Sequence, residues 1–277
     1  MTDPRYGRLI GASLGPGDPG LITRRAWAAL ESDARWLYPV KKSGGGRGDS
    51  YALAIVERSG LPIPDDAEAL VFPMSRDAQV LARAWATAAA RTLDVLASGR
   101  DAVFLVEGDA STFATFGHLA RAVRALNPAI EVETIAGVSS FAAAAATTGV
   151  PLAEEDETLA VIPAAYGVAV IDHLLDDFDT LVLLKVKPLI DEVLDLLARR
   201  DLLATSCLIE KVGTPEERII RDVASLAGTT LPYLSLMLVR NPKRARGELR
   251  RGCRKRLAPT GAPDEASTIT ATQAGAA

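Results

Sequence analysis

Apolar positions in this chain follow two alternating rhythms. Short, nearly unbroken apolar runs at 8–13, 34–40, 69–72, 102–106 and 132–135 are bounded by Gly, Pro, Asp or Ser. Runs of that length without a polar alternate predict strands buried on both faces. Between them the apolar residues recur at spacings of three and four, which predicts helices at 21–31, 50–59 and 111–126 and a long one ending at 97. Ser75 can cap that long helix, with Asp77 in its first turn. After the fifth run comes AGVSSFAAAAATTGVPL, where Gly137 permits a tight turn, Ser139 or Ser140 can cap, and the alanines form helix readily.

Strand and helix alternate as far as Gly149-Val150-Pro151, so residues 1–150 are expected to form an α/β domain on a mainly parallel sheet. Beyond residue 151 the pattern becomes richer in strands. Runs at 159–162, 180–185, 204–210, 218–223 and 233–239 read as strands, and 168–175 and 188–199 as helices. KVGTPEERII has the form of a turn between antiparallel strands, with Gly213 in the turn. Residues 151–240 are therefore expected to be an α+β domain on a mixed sheet, and 241–277 a basic, disordered tail.

Composition narrows the classes. With 277 residues and 48% apolar content the chain has ample material for buried cores. Lacking an apolar run of spanning length and a signal-like start, it is expected to be soluble and cytoplasmic. Cys207 and Cys253, with only His118 and His173 to join them, give no metal-ligand spacing, so no metal site is expected. A net charge of -4 argues against a general nucleic-acid binder. The basic tail carries no aromatic residue among its charges and reads as a solvated extension.

Candidate chemistry sits where the runs break. The strand at 102–106 breaks into Glu107-Gly108-Asp109, placing two carboxylates at a strand edge, where open α/β sheets bind ligands. The loop GASLGPGDPGLIT after the first strand lets backbone approach a ligand, or simply fixes a turn. It lacks both the G-x-G-x-x-G of dinucleotide sites and the Gly-Lys-Ser/Thr of phosphate loops. KKSGGGRGDS after the second strand is either a mobile basic lid over an anionic ligand or a solvated loop.

Four segments, GPGDPGLIT, EGDASTFATFGHL, AGVSSFAAAAATTGVPL and EKVGT, stand in the order and spacing of the tetrapyrrole methylase family, which this chain resembles from residue 8 to 239. FPMSRD, TFGHL, VSSF and LKV look most like the branch that methylates C20 of precorrin-2 in cobalamin biosynthesis. The resemblance implies a two-domain α/β fold, with S-adenosylmethionine held in the cleft between a parallel-sheet N-terminal domain and a mixed-sheet C-terminal domain, usually in a homodimer. Family cofactor positions carry over to Pro16, Glu107, Gly108, Asp109, Thr112, Ser139, Ser140, Lys185 and Gly213. The implied acceptor is a tetrapyrrole rich in carboxylates, for which Lys41, Lys42, Arg47, Lys185 and Lys187 are candidate partners. Glu107 could accept the proton that leaves the methylated carbon.

This chain departs from the family's pattern at the central loop, where Ala110 replaces a proline and Thr112-Phe113 replace an aromatic and a tyrosine. Ala136 likewise stands where a proline is usual. Losing both prolines predicts less fixed loops. Methylation of another corrin precursor or of a cobalt-bearing one, a non-catalytic protein that keeps the cleft, and a non-tetrapyrrole acceptor such as RNA are the alternatives.

Overall fold

In a computed structural model of the chain the described residues are 6–42, 49–75 and 77–245. Strands β1 (Leu9–Ser13), β2 (Arg35–Val40), β3 (Glu68–Val71), β4 (Ala102–Val106) and β5 (Val132–Ile135) form a five-stranded sheet in the order β3-β2-β4-β1-β5. Every pairing in it is parallel. The unbroken apolar runs are explained by what covers the two faces. Ala102, Phe104 and Val106 of β4 enter one core with α3 (Ala78–Ala97) and α4 (Phe116–Leu126). Val103 and Leu105 point the other way, into a core with α1 (Arg24–Leu30) and α2 (Tyr51–Ser59). With helices on both sides, no strand face is left for alternating polar residues.

The second sheet holds β6 (Leu159–Pro163), β7 (Thr180–Leu184), β8 (Ser206–Glu210), β9 (Arg218–Ile220) and β10 (Ser235–Arg240), ordered β6-β7-β10-β8-β9. Only β6 and β7 run parallel; the other pairings are antiparallel, as the turn at Gly213 predicts. Leu181 and Leu183 pack under α6 (Val168–Asp177) and α7 (Ile190–Arg199). On the opposite face Val182, Cys207 and Leu236 meet Ala143 and Ala144 of α5 (Ser140–Thr148). The alanine run is thus the seam by which the helix leaving the first sheet lies on the second. By contact density both sheets form one compact unit that runs to Arg244.

Several boundaries differ from expectation. The stretch at 21–31 is split into a 3-10 turn, Pro19–Leu21, and α1, whose first turn is capped by the Thr23 hydroxyl. Asp77, not Ser75, caps α3, accepting from the N–H groups of Gln79 and Val80, while Ser75 accepts from Asp77 N–H. Helix α4 begins at Phe116 rather than at 111, because Asp109 holds the hydroxyls of Ser111 and Thr112 in a tight loop and Phe113 turns left-handed at φ 52°. The strand at 218–223 stops at Ile220, and Val223 lies in a 3-10 turn, Val223–Leu226. Residues 241–244, read from composition as the start of the tail, are tied to the second sheet. Asn241 donates to the Leu175 carbonyl and Arg244 pairs with the buried Asp179 at 2.8 Å. The rest of that stretch, 246–277, lies outside the described residues.

Candidate active site

The strand order places a crevice between β1 and β4. The loop after β1 leads to α1 on one face of the sheet and the loop after β4 to α4 on the other, so the two adjacent loops part at the carboxyl edge, where such sheets bind ligands. The loops are joined there: Gly15 N–H donates to Gly108 O at 3.2 Å and Gly108 N–H to Gly15 O at 2.8 Å. The second sheet closes the crevice from across. Because β10 runs antiparallel between β7 and β8, its start lies beside both their ends, with Leu236 opposite Leu184 and Ser235 opposite Glu210. The resulting cleft holds roughly 890 Å³ of atom-free space, part of it open to solvent.

Pro16 lines this cleft from the first loop, and Glu107, Gly108, Asp109 and Thr112 line it from the central one. Ser139 and Ser140 line it from the start of α5, and Lys185 from the end of β7. Gly213 does not, although its neighbour Val212 does. A Cβ at Gly213 would come 2.7 Å from Asp18 N, and one at Gly17 2.4 Å from Val212 O, so the two loops cross with backbone in contact. The Gly213 N–H is taken by Glu217 at 2.7 Å. Gly213 thus fits the halves together rather than offering a free donor.

The two carboxylates differ in environment. At Asp109, burial pushes the carboxyl up, but hydrogen bonds from Ser111, Thr112 and Gly137 outweigh it and hold the group below its ordinary range. The Ser111 and Thr112 hydroxyls donate at 2.6 and 2.9 Å, and Gly137 N–H at 3.3 Å. Asp109 is therefore ionised at neutral pH and already ties the β4 loop to the β5 loop. Among the described residues Glu107 has no such donors. Burial pushes its carboxyl up to about 7, with Lys41 pulling it partly back.

Lys41 reaches the cleft through two aromatic rings. Its Nζ lies 4.8 Å from the ring centre of Tyr51, on α2, and 5.3 Å from that of Tyr233, which lines the cleft. Lys42 is exposed beside it, and Arg47 lies outside the described residues. Lys187 does not line the cleft and borders a separate depression with Asp191 and Glu192. His118 is exposed against Trp85, and neither histidine lines the cleft.

The loops are less free than the missing prolines suggest. Ala110 N–H donates to Ser13 Oγ at 2.8 Å, and Asp109 holds Gly137. Phe113 and Lys185, at φ 52° and 57°, are left-handed non-glycine residues on the cleft wall, and Lys211, at 48°, immediately precedes Val212. Such conformations persist where surrounding structure enforces them, commonly at binding sites. Sequence reasoning did not find Tyr51, Tyr233 or Ser13. Ser13 had a signal, a hydroxyl inside an otherwise apolar strand. The tyrosines had none, since Tyr51 of α2 and Tyr233, just before β10, meet at Lys41 only through the fold.

A family model described as Tetrapyrrole (Corrin/Porphyrin) Methylases matches residues 8–227. The chain is 35% identical over 234 residues to the cobalt-precorrin-2 C(20)-methyltransferase of Salmonella typhimurium, covering 84% of this chain and 96% of that one. It is 32% identical over 250 residues to the precorrin-2 C(20)-methyltransferase of Sinorhizobium sp, covering 86% and 97%. Among solved structures, uroporphyrin-III C-methyl transferase from Thermus thermophilus, complexed with S-adenyl homocysteine, shares the fold with a TM-score of 0.57 at 22% identity. That match covers 84% of this chain and 97% of that one. With its two sheets, its cleft and a family match across most of its length, the chain belongs to the tetrapyrrole methylases.

Proposed function

We propose that this protein transfers the methyl group of S-adenosylmethionine to C20 of precorrin-2, with or without cobalt in the ring, during corrin ring synthesis. Relatives matched over nearly their whole length carry that activity in their names, with both forms of the acceptor. The observation within the molecule that supports it most is the meeting, at one cleft, of an ionised Asp109 and a half-buried Glu107 whose carboxyl is pushed up to about 7.

The cleft suits the methyl donor. Leu184, Ile209 and Leu236 provide an apolar wall for the adenine, and the Asp109 carboxylate an anionic partner for the methionyl amine or the ribose. Pro16, Gly108, Thr112, Ser139 and Ser140 complete the contacts we assign to it, with Gly213 behind them. When bound, S-adenosylmethionine supplies an electrophilic methyl group on a sulfonium sulfur. The work left to the protein is to align the acceptor carbon, exclude water and remove a proton. We assign the last step to a carboxylate oxygen of Glu107, which burial brings close to working pH. Lys41, Lys42 and Lys185 meet acceptor carboxylates, Arg47 is assigned to the same set from the sequence alone, and the Tyr51 and Tyr233 rings hold Lys41 at the rim.

We divide the chain into domains at 1–150 and 151–240, and take its setting to be the cytoplasm, its working form a homodimer and its partner this small molecule rather than nucleic acid. Among the described residues no helix is long and apolar enough to cross a membrane. Isothermal titration with S-adenosylhomocysteine tests the cofactor assignment. Micromolar or tighter binding is expected, and no heat at micromolar concentrations contradicts it.

A further inference from the structure

A hydroxyl buried in an apolar strand must satisfy both its donor and its acceptor capacity nearby. Ser13, at the end of β1, is 0% exposed, donates to the Ile135 carbonyl of β5 and accepts from Ala110 N–H at 2.8 Å. Ala110 is itself buried at 4% exposure. Thr112 N–H donates to Asp109 O at 3.1 Å, closing a four-residue turn in which Ala110 holds the second position. That position takes φ near −60° and accepts proline as readily as alanine. Proline would fix the turn covalently, whereas alanine leaves a buried N–H that needs a partner.

We propose that the Ser13 hydroxyl is the positioning residue of the cofactor loop, fixing the turn that carries Asp109 and Thr112 by capturing the N–H of Ala110. The role rests on the reading of this cleft as the methyl-donor site. Ser13 and a proline at 110 exclude each other. A ring carbon on that nitrogen would lie far inside contact distance of an oxygen only 2.8 Å from it. Ser13 also has no space to withdraw, because a Cβ on Gly137 would come within 2.2 Å of its own Cβ. One hydroxyl therefore sets the β4 loop against both β1 and β5, the strands whose loops form the cleft.

A double-mutant cycle tests this on four proteins: the wild type, Ser13→Gly, Ala110→Pro and the pair together. Affinity for S-adenosylhomocysteine is measured where near-UV circular dichroism shows each to be folded, and thermal unfolding midpoints are measured alongside. Each single change is expected to weaken binding by about tenfold, one by orphaning a buried N–H and the other by collision. The double variant is expected to return to within about threefold of wild type, because glycine makes room for the ring and the ring needs no acceptor. A double variant weakened by the product of the singles, roughly a hundredfold, or an unchanged Ser13→Gly, overturns the proposal. Should Ser13→Gly not fold, Ser13→Ala removes only the oxygen and is expected to show the same tenfold loss, about 1.4 kcal/mol. No binding by the wild type would instead refute the cofactor reading. The unfolding midpoints of the same proteins would then decide the coupling: recovery in the double variant supports it and additivity overturns it.

Discussion

Glu107 and Asp109 stand two residues apart and do opposite things because of what surrounds them. The carboxyl of Glu107 is raised to about 7 from 4.5 by burial, so the folded protein holds its proton more tightly than the unfolded chain does. Its contribution to stability is accordingly full below about 4.5 and lost as pH rises through 7, by up to about 3 kcal/mol. Glu107→Gln is expected to remove that decline, measured by denaturant unfolding between pH 4.5 and 8. In turnover, methyl transfer should rise with pH through a limb near 7 that Glu107→Gln abolishes. Lys41→Ala should move the limb to higher pH, since Lys41 pulls the carboxyl down. Asp109→Ala should weaken S-adenosylhomocysteine binding by more than Lys41→Ala does, and equal affinities would contradict the division between donor and acceptor contacts. Both carboxylates were legible in the sequence because they interrupt an apolar run at a strand edge. Their different environments were not, because the donors to Asp109 include Gly137 from another loop, and Lys41 reaches Glu107 only through the fold.

At the scale of elements, strands were the most legible part of the chain. Cores on both faces of the first sheet make each strand an uninterrupted apolar run, and the observed strands fall within a residue or two of those runs. Helix starts were read less well, since periodicity says which face is buried but not which residue closes the first turn. Ser75 was the expected cap of α3, with Asp77 in the first turn, and side-chain geometry gives the cap to Asp77 instead. Asp77→Ala is expected to cost about 1 kcal/mol. That corresponds to roughly 2–4 °C in the unfolding midpoint, with no change in S-adenosylhomocysteine affinity. A change confined to Ser75→Ala would contradict the assignment. For α4, the pattern at 111–115 looked helical until Asp109 and the left-handed Phe113 claimed those residues for the site. The late start of α4 thus follows from the hydrogen bonds and left-handed turn of the loop rather than from propensity.

For the whole molecule, the arrangement of two sheets around a cleft depends on contacts no local pattern records. Gly17 and Gly213, distant in sequence, cross with backbone in contact, and β10 inserts between β7 and β8 to bring its first residues to the cleft. The family resemblance supplied that architecture, while alternation alone supplied the fold class of each half. The end of the compact unit at Arg244 makes a prediction about the basic stretch that follows. Removing 246–277 should leave unfolding midpoint and turnover unchanged. Extending the cut to remove Arg244 and Asn241 should cost about 1–3 kcal/mol, because it strips hydrogen-bonding partners from the second sheet, the buried Asp179 among them. Loss of turnover on removal of 246–277 alone would show that the basic segment takes part in the reaction.

The most direct test of the central claim is carbon NMR of the product formed from precorrin-2 and S-adenosylmethionine labelled with ¹³C at the methyl group, run with metal-free and cobalt-bearing acceptor in parallel. A single labelled methyl at C20 of at least one acceptor is the expected result, whereas label at a different carbon, or none in either acceptor, would contradict the account.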